Sequence, residues 1–352
     1  MNIVNFIDAP DPDNFVQILA THRLFPDAKQ IVALTGRPVK FNAAKEVENW
    51  QWDRKDSQMA LDTSAMRLKN FMRHYGVNVP SVYDGGVAPR TLVPHHIYFE
   101  EYYKFLDVDP LAALRHSELE PQEDLVLEML SMDDIHVVVG GPMTGLAEVL
   151  TRNPKVAENI KSVHAMYATW GNVKLMSLDD DNPRGALQFN VACDPVAAHL
   201  VLNGLDCPIY MIPSECTRFE PISFETAQKL REFLPNTPAN QKLYNLYAIW
   251  YDAAVKPRGD RIYIHDVCSA FALYDYESDG GPMDDGDAIY EFMNVDCTIP
   301  HLANQENWGT ITMKESFVDG LGQEAPKTSN IWCATKVANP NRYLAMLKYV
   351  CE

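Results

Sequence analysis

Short β-branched runs alternate with helical stretches along the whole 352-residue chain. That alternation admits few folds, because parallel strands need a crossover between them and the crossover is usually a helix. Ile3–Ile7, Gln30–Leu34, Ile135–Val139, Val163–Tyr167, Ile209–Ile212 and Arg261–Ile264 read as buried strands, and Ser81–Tyr83 runs into a GGVAP turn. Helical spacing covers Phe15–Arg23, Lys45–Tyr75 and Leu146–Leu150. The fold class expected is α/β: an open, mostly parallel central sheet with helices on both faces. No internal repeat or low-complexity linker interrupts the chain, so residues 1–352 read as a single domain, large but within the range of one α/β unit.

Charge narrows the partners. With 30 Lys and Arg against 48 Asp and Glu, the net charge is −18 and the pI is near 4.9. Nucleic-acid backbones and anionic membrane surfaces would be repelled, whereas small neutral molecules and metal cations would not. No apolar run approaches the length of a bilayer span. The opening MNIVNFIDAPDPDN has neither the basic stretch nor the apolar stretch of a secretory leader, which leads us to expect a cytoplasmic protein. The seven cysteines are scattered without a CxxC pair and read as small buried hydrophobes rather than zinc ligands or disulfides. Residues 97–127 read as an amphipathic surface helix pair. Asp275–Asp287 fails the EF-hand spacing and reads as a solvated loop.

In open α/β sheets ligands bind beyond the carboxyl ends of the strands, so polar residues there carry the most weight. The first strand runs into Asp8-Ala-Pro-Asp11-Pro-Asp13-Asn14, three carboxylates and an amide crowded into seven residues. The strand near 137 ends in Gly140-Gly141-Pro142, where bare backbone can approach a ligand, and the strand near 263 ends in His265-Asp266. Each piece has an ordinary structural use: the Asp/Pro loop as a turn with Asn14 as helix N-cap, the glycines as a tight connection, the His-Asp as a satisfied pair. Their joint occurrence points instead to a hard-oxygen site suited to Ca²⁺ or Mg²⁺, with Asp8, Asp11 or Asp13 facing Asp266.

The order of these motifs resembles the nucleoside hydrolase family, typified by inosine–uridine-preferring nucleoside N-ribohydrolases. The family's opening D-x-D-P-G-x-D-D and apolar helix correspond to Asp8–Asn14 and FVQILA. Its G-P-L-T-N after a strand corresponds to VVVGGPMTGLAEVLTRNP. Its N-x5-E-F-N and DP-x-AA helix correspond to Asn182, then Gln188-Phe189-Asn190, then DPVAA, and its late H-D to IYIHDVCSAFALYD. The resemblance runs in order from residue 2 to about 275, and Val137–Pro213 is its most specific part.

The resemblance implies metal-dependent hydrolysis of a nucleoside or related N-riboside to ribose and base, in purine or pyrimidine salvage. It places Ca²⁺ on Asp8, Asp13, Asn14, the Gly140 carbonyl and Asp266. Asp13, Asn182, Gln188 and Asn190 would hold the ribose, Asp8 would activate water, and His265 would protonate the leaving base. Such a set suits the reaction, since an oxocarbenium-like sugar needs a base for water and an acid for the departing group. It also implies a homo-oligomer, a dimer or tetramer, and a small-molecule riboside as partner.

The first motif departs from the pattern: it lacks the Gly, and Asn14 stands where a second Asp is expected, which removes one charge and should weaken Ca²⁺. Gln188 replaces a Glu. Arg37 raises the possibility of a phosphate or carboxylate on the substrate, and His95, His96 or Trp308 could meet the base. The alternative reading is a catalytically silent relative that binds a riboside or a protein partner in the same cleft.

Overall fold

The computed structural model describes residues 1–8, 12–36, 54–88, 119–169, 188–252, 259–279, 288–298, 312–315 and 330–352. Among them, ten strands form one sheet: β1 Asn2–Asp8, β2 Lys29–Gly36, β3 Ser81–Val87, β4 Leu119–Glu120, β5 Ile135–Val139, β6 Ile160–Met166, β7 Ile209–Ile212, β8 Tyr290–Thr298, β9 Thr312–Glu315 and β10 Ile331–Val337. Their order is β4-β3-β2-β1-β5-β6-β7-β10-β8-β9. Pairing is parallel from β4 to β10, and antiparallel only between β10, β8 and β9. The mostly parallel sheet expected from the alternation is therefore present.

Its strands are buried because helices cover both faces, which is why they read as apolar runs rather than as alternating patterns. Ile7, Leu34 and Ile212 pack on one side with Phe15, Leu19, Leu68 and Phe271. Val4, Phe6, Val137 and Val139 pack on the other with Leu125, Leu146 and Val201. The helices Pro12–Leu24 and Val267–Asp279 lie against each other. Among the described residues no helix is long and apolar enough to cross a membrane.

Four expectations need correction. Arg261–Ile264 is not a strand of the sheet; it makes one isolated antiparallel bridge, Ile262 to Phe224. Ile262 and Ile264 are apolar because they fill the core, and periodicity alone cannot distinguish that from a ladder. Within 97–127, Leu119–Glu120 pairs with β3 as a short strand, and only the helix from Gln122 follows the expectation; residues 97–118 lie outside the described residues. Asp275 is not solvated: it is buried in the helix Val267–Asp279, where its carboxylate accepts from the Ile289 N–H at 2.7 Å. Asn14 is not an N-cap, since the helix already begins at Pro12.

Beneath the helix Val267–Asp279 lies a buried polar chain. Ser162 Oγ bridges His136 Nδ1 and His164 Nε2, each at 2.8 Å. Tyr210 stacks on His164, and Tyr276 packs on both imidazoles. Burial pushes His136 down to about 4 against the pull of Asp134, and burial, followed by the His136 charge, holds His164 well below its ordinary range. The unfolded chain takes up these protons near pH 6.5 and the native protein does not. Stability is therefore full above that pH and falls as pH drops toward 4, by at most about 3 kcal/mol for His136. Urea denaturation between pH 7 and 4 measures the slope. A His136→Asn variant with an unchanged slope would show that this imidazole is not its source.

Candidate active site

The chain builds β1 to β4 outward in one direction and then returns to place β5 on the other side of β1. Strand order thus reverses between β1 and β5, the position at which such sheets open a crevice. Asp8 is the last residue of β1, and Gly140–Gly141 follow β5 directly. A β-carbon on Gly141 would lie 2.8 Å from both the backbone N and the Cβ of Asp8. One on Gly140 would lie 2.5 Å from Asn14 Oδ1 and 3.0 Å from Asp266 Cβ. The two glycines are there for close approach: they let the first loop, the end of β5 and residue 266 meet around one small space.

Each functional side chain is held by a specific partner. Asn14 donates through Nδ2 to Asp8 Oδ1 at 2.7 Å and to the Asp8 carbonyl at 3.1 Å. Asp13 Oδ2 accepts from the backbone N–H of His265 at 3.0 Å, which ties the first loop to the late His-Asp. Ser269 Oγ donates to the Val139 carbonyl at 3.0 Å, anchoring the helix after Asp266 to the end of β5. Asp8, Asp13 and Asp266 are all buried. His265 is half-buried, with Nδ1 at 2.8 Å from Thr217 Oγ1 and its ring 5.5 Å from that of Tyr263, over which Arg218 lies.

Asn190 Nδ2 donates to the carbonyls of Gly140 (3.2 Å) and Met166 (3.1 Å), so this side chain borders the same crevice. Gln188 caps the short helix Phe189–Cys193 by accepting from the Val191 N–H at 2.9 Å, and its Nε2 reaches Met166 Sδ at 3.3 Å. Ala168, just past β6, holds a left-handed φ of 75°, a conformation that costs a residue with a β-carbon about 1–2 kcal/mol. Asn182, Asp11, Arg37, His95, His96, Trp308 and the segment 171–181 lie outside the described residues.

The crevice therefore gathers Asp8, Asp13, Asn14, Gly140, Gln188, Asn190, His265 and Asp266. A hard cation fits the residues around Gly140. The donors are carboxylate, amide and carbonyl oxygens with no sulfur among them, the set favoured by Ca²⁺ and Mg²⁺. Asn14 Oδ1 is buried and accepts no hydrogen bond among the described residues, an arrangement that costs free energy unless a donor or a cation faces it. Among the described residues no three of His, Cys, Asp and Glu group closely enough to bind a metal by themselves. Amide and backbone oxygens would thus have to supply part of the shell.

Sequence reasoning passed over Gln17, Asn5, Thr217 and Ser269. Two of them carried a signal, since Asn5 and Gln17 interrupt otherwise apolar stretches, NIVNFID and FVQILA. A polar side chain in a buried run must find a partner. Thr217 and Ser269 carry no such mark, because only the fold brings them to His265 and to Val139.

An open, mostly parallel sheet with polar side chains gathered at its switch point defines the α/β class in which ligands bind at the strand ends. The chain matches the profile of the inosine-uridine preferring nucleoside hydrolases over residues 59–343. It belongs to that family. The match begins downstream of the Asp8–Asn14 loop and extends past residue 275. Two uncharacterized proteins of Schizosaccharomyces pombe are similar, one 29% identical over 147 residues (40% of this chain, 42% of the relative) and one 25% identical over 201 residues (56% of each). The chain thus spans about half the length of the curated relatives it matches.

Solved structures share the fold over nearly the full length. The inosine-uridine preferring nucleoside hydrolase of Bacillus anthracis aligns with a TM-score of 0.63 at 14% identity, covering 100% of this chain and 99% of that one. A plant nucleoside hydrolase aligns at 0.65 and 17%, and the purine-preferring ribonucleoside hydrolase of Gardnerella vaginalis at 0.65 and 16%, each covering 99% of this chain and 98% of the other.

Proposed function

We propose that this protein hydrolyses the C1′–N bond of a nucleoside or related N-riboside, giving ribose and free base. The observation that carries the reading is the convergence of Asn14 and Asp266 on Gly140 and of Asp8 on Gly141, beside His265, in a member of this family. Ca²⁺ is the proposed cofactor, held by Asp8, Asp13, Asn14, the Gly140 carbonyl and Asp266. When bound, such an ion would supply a lowered water pKa and a fixed positive charge facing the sugar.

The residues divide the remaining work. Asp8 takes the proton of the attacking water while the water oxygen bonds to C1′. The C1′–N electron pair leaves with the base, which takes its proton from His265. Asp13 accepts from the ribose diol, and Asn190, with both donated bonds already directed at backbone, turns its carbonyl oxygen to a hydroxyl. Gln188 offers Nε2, its oxygen being used as a helix cap. Asn182 is assigned to the remaining sugar hydroxyls. The same reading takes residues 1–352 as one domain, in a cytoplasmic salvage enzyme that works as a homo-oligomer of two or four chains.

The names of the structural neighbours set the panel: uridine, inosine and other purine ribonucleosides first, then further nucleosides and nucleotides. Ribose should be released from at least one, and a chelator should abolish the release until Ca²⁺ is restored. No release from any compound at saturating Ca²⁺ would overturn the proposal.

A further inference from the structure

One turn beyond Asn14, the helix Pro12–Leu24 carries a second fully buried amide, Gln17, that no role above uses. A chain of donors fixes its orientation. The Thr21 hydroxyl spends its proton on the Ile18 carbonyl at 2.9 Å, so toward Asn5 it can only accept, from Asn5 Nδ2 at 3.4 Å. That turns Asn5 Oδ1 to Gln17, where it accepts from Gln17 Nε2 at 3.4 Å, and the same nitrogen reaches the Val138 carbonyl at 3.4 Å. Gln17 Oε1 must then point the other way. Asn14 is fixed by the same logic, because both of its donated bonds end on Asp8 and its Oδ1 faces away from them.

Both outward-turned oxygens arrive at one place. A β-carbon on Gly140 would lie 2.1 Å from Gln17 Oε1 and 2.5 Å from Asn14 Oδ1, with Asp266 Cβ at 3.0 Å. Neither oxygen accepts a hydrogen bond among the described residues, and both are buried. Two buried acceptors with nothing positive between them repel each other and forfeit solvation. A water could donate to both, whereas a cation would also be drawn by the buried carboxylates of Asp8 and Asp266 beside them.

We propose that Gln17 is a ligand of the cation, through Oε1, and that the site pairs two neutral amide oxygens with its carboxylates. The inference rests on the metal reading given above and extends it to a residue outside the first-loop and His-Asp motifs. Ligand charge count sets the affinity of oxygen sites. A site that replaces carboxylates by amides holds its ion as an exchangeable one, sensitive to mild chelation.

The test is calcium binding to the full chain by titration calorimetry, together with the calcium-induced rise in Tm, for wild type, Gln17→Met and Gln17→Glu. Gln17→Met keeps the length of the side chain and offers only a soft sulfur; it should bind calcium at least about tenfold more weakly. Gln17→Glu should bind at least as tightly as wild type while lowering the Tm of the metal-free protein. Gln17→Met binding calcium as tightly as wild type overturns the inference while metal dependence stands. Should Gln17→Met fail to fold, Gln17→Glu decides, and binding weaker than wild type overturns it. A wild-type protein that binds neither Ca²⁺ nor Mg²⁺ at millimolar concentration removes the metal reading itself, and that result is read before any variant is made.

Discussion

Asp8→Asn should lower the rate of ribose release by about 10²–10⁴-fold, the range typical for loss of a positioned general base. The substitution keeps the shape of the side chain, and Asn14 Nδ2 can still meet an oxygen there, now the amide carbonyl, so folding should be nearly unaffected. The loss should fall on kcat and kcat/KM together, because proton transfer belongs to the transition state rather than to substrate binding. Steady-state kinetics with the best nucleoside of the panel, alongside a Tm measurement, separates the two effects. A variant with a wild-type kcat would remove Asp8 from the role of base.

Gly140→Ala should be the most damaging small change to the site. Its methyl group would lie 2.1 Å from Gln17 Oε1 and 2.5 Å from Asn14 Oδ1, separations no real β-carbon tolerates, and tight against Asp266 Cβ at 3.0 Å. The oxygens sit at the ends of side chains, so they can retreat, at a stability cost of about 1–3 kcal/mol. Retreat would separate the oxygens that face the cation. The expected outcome is a modestly lower Tm for the metal-free protein, no further rise on adding calcium, and no ribose release. Calorimetry in metal-free and calcium buffers reads the first two. An unaltered calcium response would mean that the ion sits elsewhere.

Much of the framework was legible before any coordinates. β1, β2, β5 and β7 are buried on both faces, and such strands are mostly apolar, so IVNFI, QIVAL, IHVVV and IYMI stood out within a residue or two of their ends. Apolarity misled at Arg261–Ile264, where the same signal marks an extended segment packed into the core with one bridge to Phe224. The crevice was legible as a set of strand ends, because the rule that places ligands there needs only strand order and polar residues. The partners of those residues were not. Gln17, Thr217 and Ser269 act through side-chain bonds to segments far away in the chain, and spacing within one element carries no information about them.

The bond from the His265 N–H to Asp13 spans 252 positions of the chain. β1 itself is completed only when β2 flanks it on one side and β5 on the other. Contacts of such reach are slow to form, since loop closure must precede any stabilisation they return. A growing polypeptide therefore cannot assemble the pocket from its first half, nor can a fragment that stops short of residue 266. Ligand affinity counts finished molecules, and a preparation that folds by half will bind by none.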